Sequence, residues 1–117
     1  LPDAQIEGYA RSTGQRARRN EMAVGLRIRF AGGTQEQYDA VNEQMGIAEN
    51  PPDGLIFHAA GPTEDGWGVL DFWESRDHFD RFQASRLGPA VGELGDRAPQ
   101  GPPDIKEFPV YNHMTGS

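Results

Sequence analysis

"GLIFHAAGPTEDGWGVLDFWESRDHFDRF", residues 54–82, decides the architecture. Two apolar runs of strand length, 54–61 and 67–73, flank the turn-rich "PTEDG", which reads as a hairpin with a five-residue loop. The second run stops at Trp73, and Ser75 caps a helix carrying Phe79 and Phe82. In the extended run Val69, Asp71 and Trp73 fall on one face, and the helix start returns Phe79 over that face. Glu74 should point away from it.

The flanking sequence extends the pattern. "AVGLRIRF" (23–30) alternates, with Val24, Leu26, Ile28 and Phe30 on one face and Arg27 and Arg29 on the other. Gly32 and Gly33 break that strand. Thr34 and Gln37 then form a capping box, and Tyr38, Val41 and Met45 make one buried helical stripe. "ENPPDG" (49–54) is a turn. "GPAVGEL" (88–94) reads as a further helical turn with Pro89 at its first position, and "IKEFPVYNHM" (105–114) as a last strand. Pro109 assigns that strand to an edge or to pairing that spares its amide. The order β-α-β-β-α-β predicts an α+β, ferredoxin-like domain over 22–117, with an antiparallel sheet and both helices on one face. The other face needs a cover. A second copy is the economical one, so a homodimer assembled through the sheet faces is expected.

Residues 1–21 carry four arginines against Asp3, Glu7 and Glu21, and lack an apolar period. They read as an N-terminal arm, either an extension or a segment that packs on a partner. The remainder is acidic, within a formal net charge of −7. Such a body repels phosphate backbones, so no nucleic-acid partner is expected. No run is long and apolar enough to span a membrane, and no apolar stretch has the flanks of a secretory leader. Cysteine is absent. That removes disulfides, thiolate ligands and cysteine nucleophiles, and it fits a cytoplasmic protein.

Three residues invite a chemical reading. Asp71, between Leu70 and Phe72, is unfavourable unless exposed, paired or hydrogen-bonded. It is either a structural carboxylate at the strand–helix corner or a pocket base. His58 alternates with Ile56 and Ala60, and is either a satisfied structural residue or a proton acceptor. Trp73 is either a core indole or a wall that stacks on an aromatic ligand. His78, in the first helical turn, is assigned to the surface, and His113 stays open. No HxxxH, HxH or HExxH spacing, phosphate loop or GxSxG elbow occurs, so no metal, flavin or haem is expected.

The strand–hairpin–strand–helix segment, with "DFWESRDHF" at its centre, resembles the dimeric α+β barrel proteins of the antibiotic-biosynthesis-monooxygenase-like branch. The resemblance covers about residues 22–115. It implies a pocket between sheet and helices, lined by Trp73, by Phe79 in place of a tyrosine sometimes found there, and by His58. Phe79 thereby removes a phenol that could donate a proton. The Trp and His of the haem-degrading branch would fall at Phe82 and Gly92, so haem degradation is not expected. The resemblance implies a cofactor-independent monooxygenase for aromatic or polyketide-like substrates, with His58 and Asp71 as catalytic candidates. Trp73, Phe79 and Leu26 would form the walls. The alternative is a non-catalytic barrel that binds a small aromatic or hydrophobic ligand.

Overall fold

The structure is a computed structural model that describes residues 22–116. The arm expected at 1–21 lies outside the described residues. Along the chain follow β1 (Val24–Ala31), α1 (Gln35–Met45), β2 (Leu55–Thr63), β3 (Gly66–Trp73), α2 (Arg76–Phe82), α3 (Gly88–Leu94) and β4 (Asp104–Pro109). The four strands form one antiparallel sheet in the order β2-β3-β1-β4. This is the ferredoxin-like α+β fold that the element order predicts.

Local chemistry sets each boundary. Thr34 accepts from the Gln37 amide, and the Gln37 side chain accepts from the Thr34 amide, completing the capping box of α1. Gly46, at φ 67°, ends that helix in the left-handed conformation. Ser75 caps α2 by accepting from the His78 amide, and its hydroxyl also lies 2.7 Å from His78 Nδ1. His78 is therefore tied to the cap and half-buried rather than free on the surface.

Three details differ from expectation. The hairpin is tighter: Thr63 pairs with Gly66, leaving only Glu64 and Asp65 in the loop. Pro62 can lie within β2 because that strand is an edge. Pro89 does not start a separate helix. Helical structure runs on from α2 through a π turn, Gln83–Leu87, into α3. A proline in a continuing helix offers no N–H and crowds the carbonyl four residues back, here that of Ser85, and the wider turn relieves both. The last strand ends at Pro109, at the other edge of the sheet.

The inward face of the sheet buries Val24, Leu26, Ile28 and Trp73 against Phe79 of α2. A second cluster, Ala40, Val41, Leu94 and Ala98, joins α1 to α3 and the segment after it. The opposite face has no such cover: Phe57 is 54% and Phe108 50% exposed. No helix among the described residues is long and apolar enough to cross a membrane.

Candidate functional site

Between the inward sheet face and the helices lies a cavity of about 670 Å3. Its walls are mostly apolar, supplied by Ile28, Val69 and Trp73 from the sheet and by Val41, Phe79 and Phe82 from the helices. The four residues placed together from the sequence, His58, Asp71, Trp73 and Phe79, all line it. Leu26 does not. It is 0% exposed in the core cluster, on the strand beside Asp71, and it supports the site from below rather than forming a wall.

Backbone register explains how the polar residues meet. Asp71 stands opposite Leu26 on one side and His58 on the other. Leu55 pairs with Trp73 and Phe57 with Phe72, so a β-bulge falls at Ile56. The extra residue breaks the period of two. Leu55, not Ile56, shares the cavity face with His58, and Ile56 is exposed. Bulges re-aim side chains in this way beside functional sites.

The polar groups form one chain of hydrogen bonds. Asp71 Oδ1 lies 2.5 Å from His58 Nδ1, and Asp71 Oδ2 accepts from Trp73 Nε1 at 3.2 Å. His58 Nε2 lies 2.5 Å from the hydroxyl of Tyr38. An ionised carboxylate only accepts, so Nδ1 carries the hydrogen and, in the neutral ring, Nε2 accepts from the phenol. Asp71 is 5% exposed, yet both its oxygens have donors. Its burial is thereby satisfied. Tyr38 also lies parallel to the His58 ring, at 5.9 Å and 3°. Trp73 packs edge-on against Phe79 at 5.7 Å, and Phe82 lies tilted by 39° against it at 5.1 Å.

Two residues of the cavity wall, one polar and one aromatic, lay outside the sequence candidates. Tyr38 reads as one member of the apolar stripe of α1. The signal was its hydroxyl, the only polar tip on that stripe. It supplies from α1 the phenol that Phe79 lacks on α2. Trp67, at the start of β3, lies 5.4 Å from Tyr38 and also lines the cavity. Glu74 is exposed, as the strand period requires.

Behind the wall, Arg76 bonds Asp80 at 2.9 Å and Glu107 on β4, and its guanidinium lies 5.8 Å from the centre of the Phe79 ring. The hydrogen bond to Asp80, with help from the charge of Glu107, holds the Arg76 pKa above its ordinary value, against some desolvation. Among the described residues, no group of three or more His, Asp or Glu side chains is placed to hold a metal ion.

No family model matches the chain, and no curated protein matches it. Solved structures do. A Caulobacter crescentus protein named as a candidate antibiotic biosynthesis monooxygenase superposes with a TM-score of 0.63 at 14% identity, over 85% of this chain and 99% of that one. SnoaB, a cofactor-independent oxygenase from Streptomyces nogalater, gives 0.57 at 18% identity, over 81% and 99%. A dimeric ferredoxin-like protein of unknown function from Thermobifida fusca gives 0.55 at 14%, over 76% and 92%. Across nearly the full length of these proteins, the chain shares the fold of the dimeric ferredoxin-like, antibiotic-biosynthesis-monooxygenase-like structures.

Proposed function

We propose that the protein is a cofactor-independent monooxygenase for a small aromatic, polyketide-like substrate. The observation that carries this reading is the Tyr38–His58–Asp71 chain on the wall of an otherwise apolar cavity. The same fold in SnoaB, a cofactor-independent oxygenase, supports it.

Both nitrogens of His58 are engaged, so the group that meets the substrate is the phenol of Tyr38. The substrate's proton moves to the Tyr38 oxygen as the phenol proton moves to His58 Nε2. Asp71 holds the ring in the required tautomer and stabilises the imidazolium. Trp73 and Phe79 flank the aromatic substrate and exclude water.

The activated position is a ring methylene beside a conjugated carbonyl. Loss of its proton, directly or through the enol, leaves a delocalised carbanion that passes one electron to O2. Recombination forms a carbon–oxygen bond, and protonation gives a hydroperoxide. That hydroperoxide loses water to leave a carbonyl. The sum is CH2 plus O2 giving C=O plus H2O, with the substrate as the only reductant.

Oxygen uptake during aerobic incubation with hydroxyaromatic methylene compounds tests the proposal. Expected is one O2 consumed per carbonyl formed, with His58→Ala abolishing uptake while the fold persists. Saturable binding of such compounds with no oxygen uptake would replace the enzyme with a ligand-binding barrel.

A further inference from the structure

The described walls of the cavity carry charge of one sign. Their two acidic side chains are Asp71 and Asp80, and among the described lining residues there is no lysine or arginine. Asp71 is 5% exposed, and its oxygens accept from the Nδ1–H of a neutral imidazole and from an indole N–H. Its negative charge is therefore hydrogen-bonded but not cancelled. Asp80 lines the cavity from α2 and is half-exposed. Its oxygen accepts from Arg76 at 2.9 Å, but Arg76 is shared with Glu107 of β4, so these three side chains together keep one negative charge.

Charge acts without contact. In a mostly apolar cavity water screens poorly, so a ligand carboxylate and the Asp71 carboxylate repel far more strongly than they would in bulk water. Leaving water also costs a carboxylate more than a neutral group, and only a paired cation offsets that cost. The proton relay points the same way. A neutral ligand that gives up its proton through Tyr38 becomes an anion as His58 becomes a cation, and the total charge in the cavity stays the same. A ligand that arrives with a carboxylate adds a charge that no proton transfer balances.

We infer that the cavity selects neutral aromatic ligands and rejects those that carry a free carboxylate. This rests on the proposed function in placing an aromatic ligand in the cavity. A polyketide-like acid then reaches the site only after its carboxyl group is lost or masked. The class of reaction that supplies the substrate is decarboxylation, esterification or amide formation.

The test is calorimetric titration of the whole chain with 2-naphthol, 6-hydroxy-2-naphthamide and 6-hydroxy-2-naphthoic acid, at a pH where the acid is ionised and the hydroxyls are not. The last two match in shape and differ in charge. The naphthol and the amide should bind comparably, and the acid about tenfold or more weakly. High salt should leave that gap in place, because a buried charge is screened little. A gap that closes in salt assigns the preference to the net charge of −7 on the whole chain and overturns the inference. Asp71→Asn removes the buried charge and should narrow the gap to about threefold or less. Asp80→Asn should narrow it by a smaller factor, and it serves where Asp71→Asn fails to fold. An unchanged gap in the folded variant overturns the inference. So does equal binding of acid and amide by the wild type, which would require a cation at the cavity beyond those of the described walls. An acid that matches the naphthol while the amide binds more tightly also overturns it, since that reports a hydrogen bond to the amide. Failure of all three probes to bind overturns it together with the aromatic-ligand reading of the cavity. Oxygen uptake is not read, so a protein that binds with this preference but never oxygenates removes the proposed enzyme and leaves the selection standing.

Discussion

Asp71 faces His58 directly across the β2–β3 pairing, and its Oδ1 lies 2.5 Å from Nδ1 of the imidazole. The sequence left Asp71 as a corner carboxylate or a pocket base, and in the structure it is a carboxylate whose two oxygens serve two neighbours. One carboxylate oxygen fixes the Trp73 indole and the other fixes the His58 tautomer.

Asp71→Asn should therefore cost both stability and activity. The amide keeps one oxygen acceptor and presents a donor where the second acceptor stood, so either Trp73 or His58 loses its partner. Thermal melting should show a loss of about 1–3 kcal/mol, the penalty for an unsatisfied buried group. Turnover should fall by about 10³- to 10⁴-fold, as when an orienting aspartate is replaced and the histidine takes the wrong tautomer. A normal melt with normal oxygen uptake would exclude Asp71 from both roles.

Tyr38→Phe separates the phenol from its packing. The ring keeps its place next to His58 and beside Trp67, and only the hydroxyl is lost. His58 is part-exposed and can turn to water, so the melt should change by less than about 1 kcal/mol. Oxygen uptake should fall by about 10²- to 10⁴-fold if the phenol is the group that transfers the proton. Unchanged uptake would return the proton-accepting role to His58 alone.

The fold was legible because its signals are local. The alternation of 23–30, the Thr34–Gln37 capping box and the Ser75 cap each specify an element within a few residues. Half of the site followed from the same logic, since Asp71, Trp73 and Phe79 belong to one strand and the helix after it. His58 was placed with them by the family resemblance, but its hydrogen bond to Asp71 was not legible locally. His58 reaches it through a bulge at Ile56, and no local pattern announces where an extra residue enters a ladder. Tyr38 comes from a helix 20 residues away from His58 in the chain, so only the packed tertiary structure reveals that its hydroxyl is polar chemistry rather than core decoration. Leu26 was misplaced for a related reason. A strand face shows which residues turn inward, but not which of them the neighbouring Trp73 and Phe79 cover completely.

Arg76 should matter little to stability and not at all to its pH dependence near neutrality. Its pKa is raised by Asp80 and Glu107, so the stability it contributes is fully present below the ordinary arginine value and is lost only as pH rises through the raised one, far above neutrality. The guanidinium is 37% exposed, and solvent screens the pairs. Arg76→Met should lower stability by no more than about 1 kcal/mol, with a deficit that shrinks in high salt. Melts of wild type and variant across pH should stay parallel. A gap that opens as pH rises through neutrality would contradict the sign of the shift.

The uncovered sheet face should pair with a second copy of the chain. Phe57, Phe72 and Phe108 form a row across three strands, with ring centres 6.4 and 6.2 Å apart. Gly25, beneath the row on β1, makes room for it, because a Cβ there would come within 2.6 Å of Phe108 and 2.9 Å of Phe72. Leu70 and Ile56 extend the exposed apolar surface. A contiguous patch of this kind is rare on a monomer and marks an interface, and the Thermobifida fusca structure of the same fold is dimeric. Light scattering at micromolar concentration should give the mass of a homodimer. Phe57→Asp with Phe108→Asp places charges against the partner's face, so it should dissociate the dimer and lower the melting temperature in a concentration-dependent way. Gly25→Val should act through a different cause, by lifting the Phe72 and Phe108 rings out of the row, and should weaken the dimer without adding charge. A wild-type monomer would remove the barrel assembly, and dissociation by the charged pair without any effect of Gly25→Val would place the interface away from the Phe72–Phe108 contact.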